Sequence, residues 1–124
     1  EGLPQHPRIE YLVSTSTSVQ AGVFLDQDVN EKQKVMVILD ADHREAHVAK
    51  ELEMYSRYVS VGSYLIVEDS CFDGFPAWPE YGPGPAAAID RFLDKNGCFQ
   101  IDRSMERHLI TFSPKGFLRR VKAE

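Results

Sequence analysis

The chain has 124 residues, 43% of them apolar and 27% charged, proportions that suit one globular domain with its own core. Its net charge of −5 makes the surface repel phosphate backbones, so no nucleic-acid partner is expected. No apolar run approaches the roughly 20 residues of a membrane span, and the opening EGLPQHPRIE has no apolar signal region, so no membrane partner is expected either.

The two cysteines, Cys71 and Cys98, match no metal-ligand spacing and are too few for a disulfide scaffold. They read as small hydrophobes in a reducing, cytoplasmic setting. The basic cluster Arg119, Arg120 and Lys122 reads as a solvated tail.

Strand-like and helix-like segments alternate along the chain, which predicts an α/β domain with a mainly parallel sheet. Arg8–Val13 (RIEYLV) reads as a first strand. Ser14–Ser18 suits a turn and a helix cap, and Ser18–Val29 a short helix weakened by Gly22. Val35–Leu39 (VMVIL) is a continuous apolar run, the pattern of a strand buried on both faces. Asp42–Tyr58 follows as a helix, with Val48, Leu52, Tyr55 and Val59 on one face. Asp42 and Glu45 are spaced as a capping box. Gly62 ends that unit, and Ser63–Val67 (SYLIV) is the next buried strand.

Asp73–Pro85, rich in glycine and proline, reads as a long loop whose Phe75, Trp78 and Tyr81 either wall a pocket or pin the loop. Ala86–Asn96 is a helix with Ala86, Ile89, Phe92 and Leu93 on one face, and Gly97 is placed to cap it. Phe99–Asp102 and His108–Phe112 read as an antiparallel hairpin closing around Arg103–Arg107.

Two of these strands run into acid. Val35–Leu39 leads into Asp40, Ala41, Asp42 and His43, and Ser63–Val67 into Glu68 and Asp69. Ligands of open α/β sheets bind beyond the carboxyl ends of the strands. If the two strands are parallel neighbours, their acids share one rim. Carboxylates crowded there repel one another unless a cation lies among them, and an all-oxygen set suits Mg²⁺. Turn chemistry alone also puts aspartate at strand ends, and Asp42 doubles as a helix cap. His43 is placed as a general base or substrate contact, or as a surface residue of a first helical turn. His43 and His47 share an i, i+4 face, but no HExxH motif or third soft ligand accompanies them.

The stretches ILDADHREAHVAKELEMYSRYVSVGSYLIVEDS, GPGPAAAIDRFL and FQIDRSMERHLITFSPKGFLRRV resemble the cephalosporin hydroxylase and rhamnosyl O-methyltransferase family, from about Arg8 to Val121. The resemblance implies a partial Rossmann-like methyltransferase sheet and S-adenosylmethionine as methyl donor. It implies a Mg²⁺ site at Asp40, Glu68 and Asp69, with His43 at a position the family commonly fills with histidine. Such a metal binds substrate oxygens and orients a hydroxyl toward the methyl group.

The family's glycine-rich cofactor loop lies upstream of the matched stretch, and no GxGxxG-type sequence occurs here. Residues 1–124 are therefore expected to form a single methyltransferase-like domain without the cofactor-binding first half. Such a domain would leave one edge of Val35–Leu39 bare, to be closed either by Arg8–Val13 or by a homodimeric partner. The leading expectation is a domain related to metal-dependent O-methyltransferases acting on a small molecule. The alternative is a non-catalytic, homo-oligomeric binding domain with a relic carboxylate site. Nothing resembles a hydrolase nucleophile elbow.

Overall fold

The computed structural model describes residues 2–30, 32–72, 80–107 and 110–123. Helix α1 (Val19–Asp28) precedes strand β1 (Val37–Leu39). Helix α2 (Glu45–Tyr55), continued by a 3-10 turn at Ser56–Tyr58, leads to β2 (Tyr64–Val67). Helix α3 (Pro85–Lys95), β3 (Phe99–Ile101), a second 3-10 turn and β4 (Phe117–Arg120) complete the chain. Among the described helices none is long and apolar enough to cross a membrane.

The strands form one sheet in the order β1-β2-β4-β3. Only β1 and β2 are parallel, while β4 runs antiparallel to both β2 and β3. The sheet is therefore mixed, not mainly parallel as expected. The register aligns Leu39 with Val67, Leu65 with Leu118, and Ile101 with Leu118. Side chains alternate across a strand, so these residues and Phe99 share one face. That face meets Val48, Leu52 and Tyr55 of α2 and Ala88 and Ile89 of α3 in a single core. Leu52, Leu65, Ile89 and Leu118 are fully buried. Each contributes about 1.5–3 kcal/mol by burial, whereas an exposed ion pair such as Arg57–Asp26 is screened by water and adds little. Apolar packing of one sheet face holds this fold.

Local chemistry explains the helix ends. Ser18 caps α1, its Oγ accepting from the Ala21 amide at 3.1 Å. Gly22 earns its place by packing, because a Cβ there would press on the Met54 side chain. The expected capping box at Asp42 and Glu45 is absent. Asp42 Oδ1 instead accepts from the Arg44 amide at 3.0 Å in a turn ahead of the helix, and Arg44 is the cap residue, its side chain bonding Asp42 and not the helix end. Asn96 caps α3, and Gly97 does not adopt a left-handed backbone. Proline at the first turn of α3 costs nothing, since its missing amide hydrogen would be unpaired there anyway.

Four other expectations are corrected. Arg8–Val13 has strand composition but no ladder partner, and it lies exposed without strand structure, pairing neither with β1 nor elsewhere. The apolar run Val35–Leu39 shortens to Val37–Leu39 and is not buried on both faces. Ile38 is 51% exposed, because β1 is an edge strand and the core covers one sheet face. The hairpin partner of β3 is Phe117–Arg120, not His108–Phe112; His108 and Leu109 lie outside the described residues, and Ile110 and Phe112 are exposed without strand structure. The supposed basic tail thus holds an inner strand. Leu118 fills the core, and the Arg120 guanidinium donates to the Arg57 and Val59 carbonyls while lying 5.9 Å from the Phe99 ring centroid. Arginine's long stem and fork let it serve beside a core, a capacity that counting charges misses.

Candidate metal centre at the sheet rim

Because β1 and β2 are parallel and in register, Leu39 and Val67 end side by side, and the Glu68 amide donates to the Leu39 carbonyl at 3.0 Å. Asp40 therefore leaves β1 beside the point where Glu68 and Asp69 leave β2. Three of the four expected residues converge there. His43 Nε2 lies 3.3 Å from Asp69 Oδ2 and 3.6 Å from Asp40 Oδ1, and the three donor atoms all fall within 4.8 Å of one another. The Glu68 side chain stands outside this group, although its backbone shares the rim.

The group fits a divalent cation on its own chemistry. Two carboxylates held this close repel each other. His43 Nε2 is buried, yet makes no hydrogen bond among the described residues. Its short distances to the carboxylates lack hydrogen-bond geometry, so the atom faces the shared gap unsatisfied. Two oxygens and one imidazole nitrogen suit Mn²⁺, Fe²⁺, Co²⁺ or Zn²⁺; exchanging the nitrogen for Glu68 would make the all-oxygen set that suits Mg²⁺.

The surroundings fix His43 from one side. Phe72 meets its ring edge-on, with centroids 6.0 Å apart, and Phe72 in turn lies 6.0 Å from Tyr81. Sequence reasoning named Tyr81, with Phe75 and Trp78, as walling a pocket or pinning a loop, but missed Phe72, whose position three residues after Asp69 was the available signal. Phe75 and Trp78 lie outside the described residues. Beside this wall, Arg44, Glu45, Ala46 and residues 80–83 line a cleft of about 570 Å³. His47 does not join His43. Its Nε2 lies 2.9 Å from the Ser16 hydroxyl and 3.4 Å from Glu51 Oε1. Both contacts fall on one ring nitrogen, so Ser16, His47 and Glu51 are not arranged as a catalytic triad, which needs the acid and the hydroxyl on opposite nitrogens. Both cysteines are free thiols, with Cys98 in the core and Cys71 half-buried. Burial first, then the nearby Asp69 charge, pushes the Cys71 thiol up from its ordinary pKa.

The chain is an α/β domain with a mixed sheet, two carboxylates and an imidazole standing at the rim of its parallel pair. The family model described as Rhamnosyl O-methyltransferase/CmcI matches residues 1–121, and the chain belongs to that family. Rhamnosyl O-methyltransferases of Mycobacterium tuberculosis (strain H37Rv) and Mycobacterium bovis (strain AF2122/97) are 34% identical over 117 residues, covering 92% of this chain and 48% of theirs. The Mycobacterium leprae protein of the same name is 33% identical, covering 92% of this chain and 51% of its own. The chain thus spans about half the length of the curated relatives it matches, as an O-methyltransferase-like domain. The search of solved structures found no match.

Proposed function

We propose that the rim of β1 and β2 is the metal-dependent substrate site of an O-methyltransferase with a Rossmann-like sheet, acting on a hydroxyl of a small molecule. The observation that carries this reading is the convergence of Asp40, His43 and Asp69, with His43 Nε2 buried and unsatisfied. Asp40 and Asp69 hold a divalent cation, Mg²⁺, with Glu68 as the third carboxylate. A cation bound there supplies Lewis-acid polarisation of a substrate oxygen and lowers the pKa of its hydroxyl. His43 is the auxiliary base that receives the hydroxyl proton. Phe72 keeps the His43 ring oriented, and the adjoining cleft admits the small molecule. The family implies S-adenosylmethionine as methyl donor, and this chain alone is not expected to bind it tightly.

Calorimetric titration with Mg²⁺, Mn²⁺ and S-adenosylmethionine tests the reading. Asp69→Asn and Glu68→Gln should weaken cation binding by at least the roughly 10–100-fold that loss of an outer-shell partner costs. His43→Ala should bind as the wild type does. The group Asp40, His43 and Asp69 favours a second reading, in which His43 is the third ligand; then His43→Ala loses the cation and Glu68→Gln keeps it. A wild-type chain that binds no cation overturns both and leaves a relic carboxylate site. Tight S-adenosylmethionine binding would overturn the expectation for the cofactor.

We propose also that this chain on its own is a homodimer. No described strand pairs with the outer edge of β1, where Met36 and Ile38 are about half exposed. Open apolar edges recruit further strands, and a second copy would supply an antiparallel one.

A further inference from the structure

Asp69 has a left-handed backbone, with φ +50°, shared among described non-glycine residues only by Lys115 at φ +63°. Residues with a Cβ rarely adopt this region, although aspartate does so more readily than most. The turn matters, because side chains of successive extended residues point to opposite faces. An extended Asp69 would continue the alternation of β2; the left-handed residue instead turns the chain just where its carboxylate meets His43.

Contacts from one distant segment fix this turn on both sides. Ahead of Asp69, the Val67 amide donates to the Gly116 carbonyl at 2.8 Å. Beyond it, the Cys71 amide donates to the Phe112 carbonyl at 3.1 Å. Between them the Ser70 hydroxyl, on a residue 1% exposed, donates to the Pro114 carbonyl at 2.5 Å. Within the turn the Phe72 amide donates to the Asp69 carbonyl at 2.9 Å. The segment is itself anchored, for the Lys115 amide donates to Glu106 Oε1 and Lys115 Nζ to Asp90, both at 2.9 Å. Gly116 approaches so closely that a Cβ there would overlap the Val67 carbonyl oxygen. An unfavourable backbone conformation persists only where its surroundings over-determine it, and these contacts do so.

We infer that Ser70 is a positioning residue for the rim site. Through its hydroxyl, residues 112–116 clamp the turn that holds Asp69 in the left-handed conformation and so place its carboxylate beside His43. The geometry stands alone, while its consequence for cation binding rests on the function proposed above. Neither Ser70 nor Gly116 contributes an atom to the metal group.

The test compares Ser70→Ala and Gly116→Ala with Val59→Ala, a fully buried core position at the opposite end of the strands. Amide exchange at Cys71 and Phe72 should quicken at least about tenfold in Ser70→Ala, with exchange at Leu65 unchanged. Mn²⁺ affinity should fall about 10–100-fold. Val59→Ala should lower the melting temperature but leave Mn²⁺ affinity unchanged, which separates positioning from general stability. Should Gly116→Ala fail to fold, Ser70→Ala alone decides. Unchanged exchange at Cys71 and Phe72, unchanged Mn²⁺ affinity in Ser70→Ala, or an equal loss in Val59→Ala would each overturn the inference. A wild-type chain that binds no Mn²⁺, while Ser70→Ala still frees the turn, upholds the clamp and overturns the cation reading alone.

Discussion

The chain carries two imidazole–carboxylate clusters one helical turn apart, and they differ in what surrounds them. The His43 and His47 side chains are almost equally exposed, at 21% and 22%. The carboxylates are not. Asp40 and Asp69 are 58% and 31% exposed, whereas Glu51 is 2% exposed. Around His47 the Ser16 hydroxyl bonds the ring, and the Tyr55 hydroxyl donates to the Ser16 carbonyl. Burial first, then the Glu51 charge, holds the Tyr55 phenol above its ordinary pKa, keeping its proton in place for that bond. The difference teaches that the same residue types make a closed structural tie at one place and an open rim at another. Availability of the carboxylates, more than their presence, distinguishes the proposed site.

The largest expected effect comes from breaking the closed cluster. His47→Ala removes the Ser16 bond and the neighbour of buried Glu51, and leaving buried polar groups without partners costs about 1–3 kcal/mol. With the His47 side chain 22% exposed, the lower end of that range is expected in urea unfolding. Asp40→Asn should change stability by less than about 0.5 kcal/mol while weakening cation binding. If Asp40→Asn destabilised the chain as much as His47→Ala, the distinction between a tie and a site would collapse.

Much of this contrast was legible in the sequence, and the remainder was hidden for identifiable reasons. The parallel placement of β1 and β2 follows from two apolar strands flanking a long amphipathic helix, so the convergence of Asp40 and Asp69 could be reasoned out. Val48, Leu52, Tyr55 and Val59, chosen by helical spacing, are all buried. Neighbours distant along the chain were illegible. Nothing local says that Ser16 will meet His47, or that Phe112, Pro114 and Gly116 will wrap the turn at Asp69. The strand Phe117–Arg120 was masked by its arginines, because hydropathy weighs a guanidinium as solvent-seeking even where its stem lies over Phe99. Arg8–Val13 shows the opposite error. Local propensity marked a strand, but a strand forms only where a ladder partner exists.

The contrast extends to the strands that carry the rim. β2 is paired on both edges, by β1 and β4, whereas β1 is paired on one. If the open edge recruits a second copy, sedimentation equilibrium should give twice the chain mass, and Ile38→Lys should return it to one by placing a charge on the exposed seam. Leu39 and Val37 face the core and Ile38 the opposite side of the sheet, so Ile38→Lys should change the stability of each folded chain by only about 0.5 kcal/mol. A wild-type monomer at high concentration would reject dimerisation through β1.

The smallest expected effect lies at Asp102, which is tied like Glu51 but only half-buried. The hydroxyl of Ser104 first, then that of Tyr64 at 2.7 Å, holds its carboxyl below the usual range. The same bond, with Asp102 as its principal cause, holds the Tyr64 phenol above its ordinary value. The two shifts act at opposite ends of the pH scale. A carboxyl depressed in the folded state contributes stability above its unfolded pKa of about 3.9, and that contribution is lost as pH falls through the folded value. A phenol raised in the folded state contributes below its unfolded pKa of about 10 and loses its share as pH rises through the folded value. Asp102→Asn should therefore lower the melting temperature most near neutral pH, where both contributions are present, and so flatten its fall at both ends. Tyr64→Phe should remove only its own share of the alkaline limb, since Tyr55, Tyr58 and Cys71 keep theirs, and only part of the acid share of Asp102, because Ser104 still bonds it. A loss confined to the acid side in Asp102→Asn would show that the Tyr64 bond does not form in solution, and that exposure defeats this tie as it opens the rim.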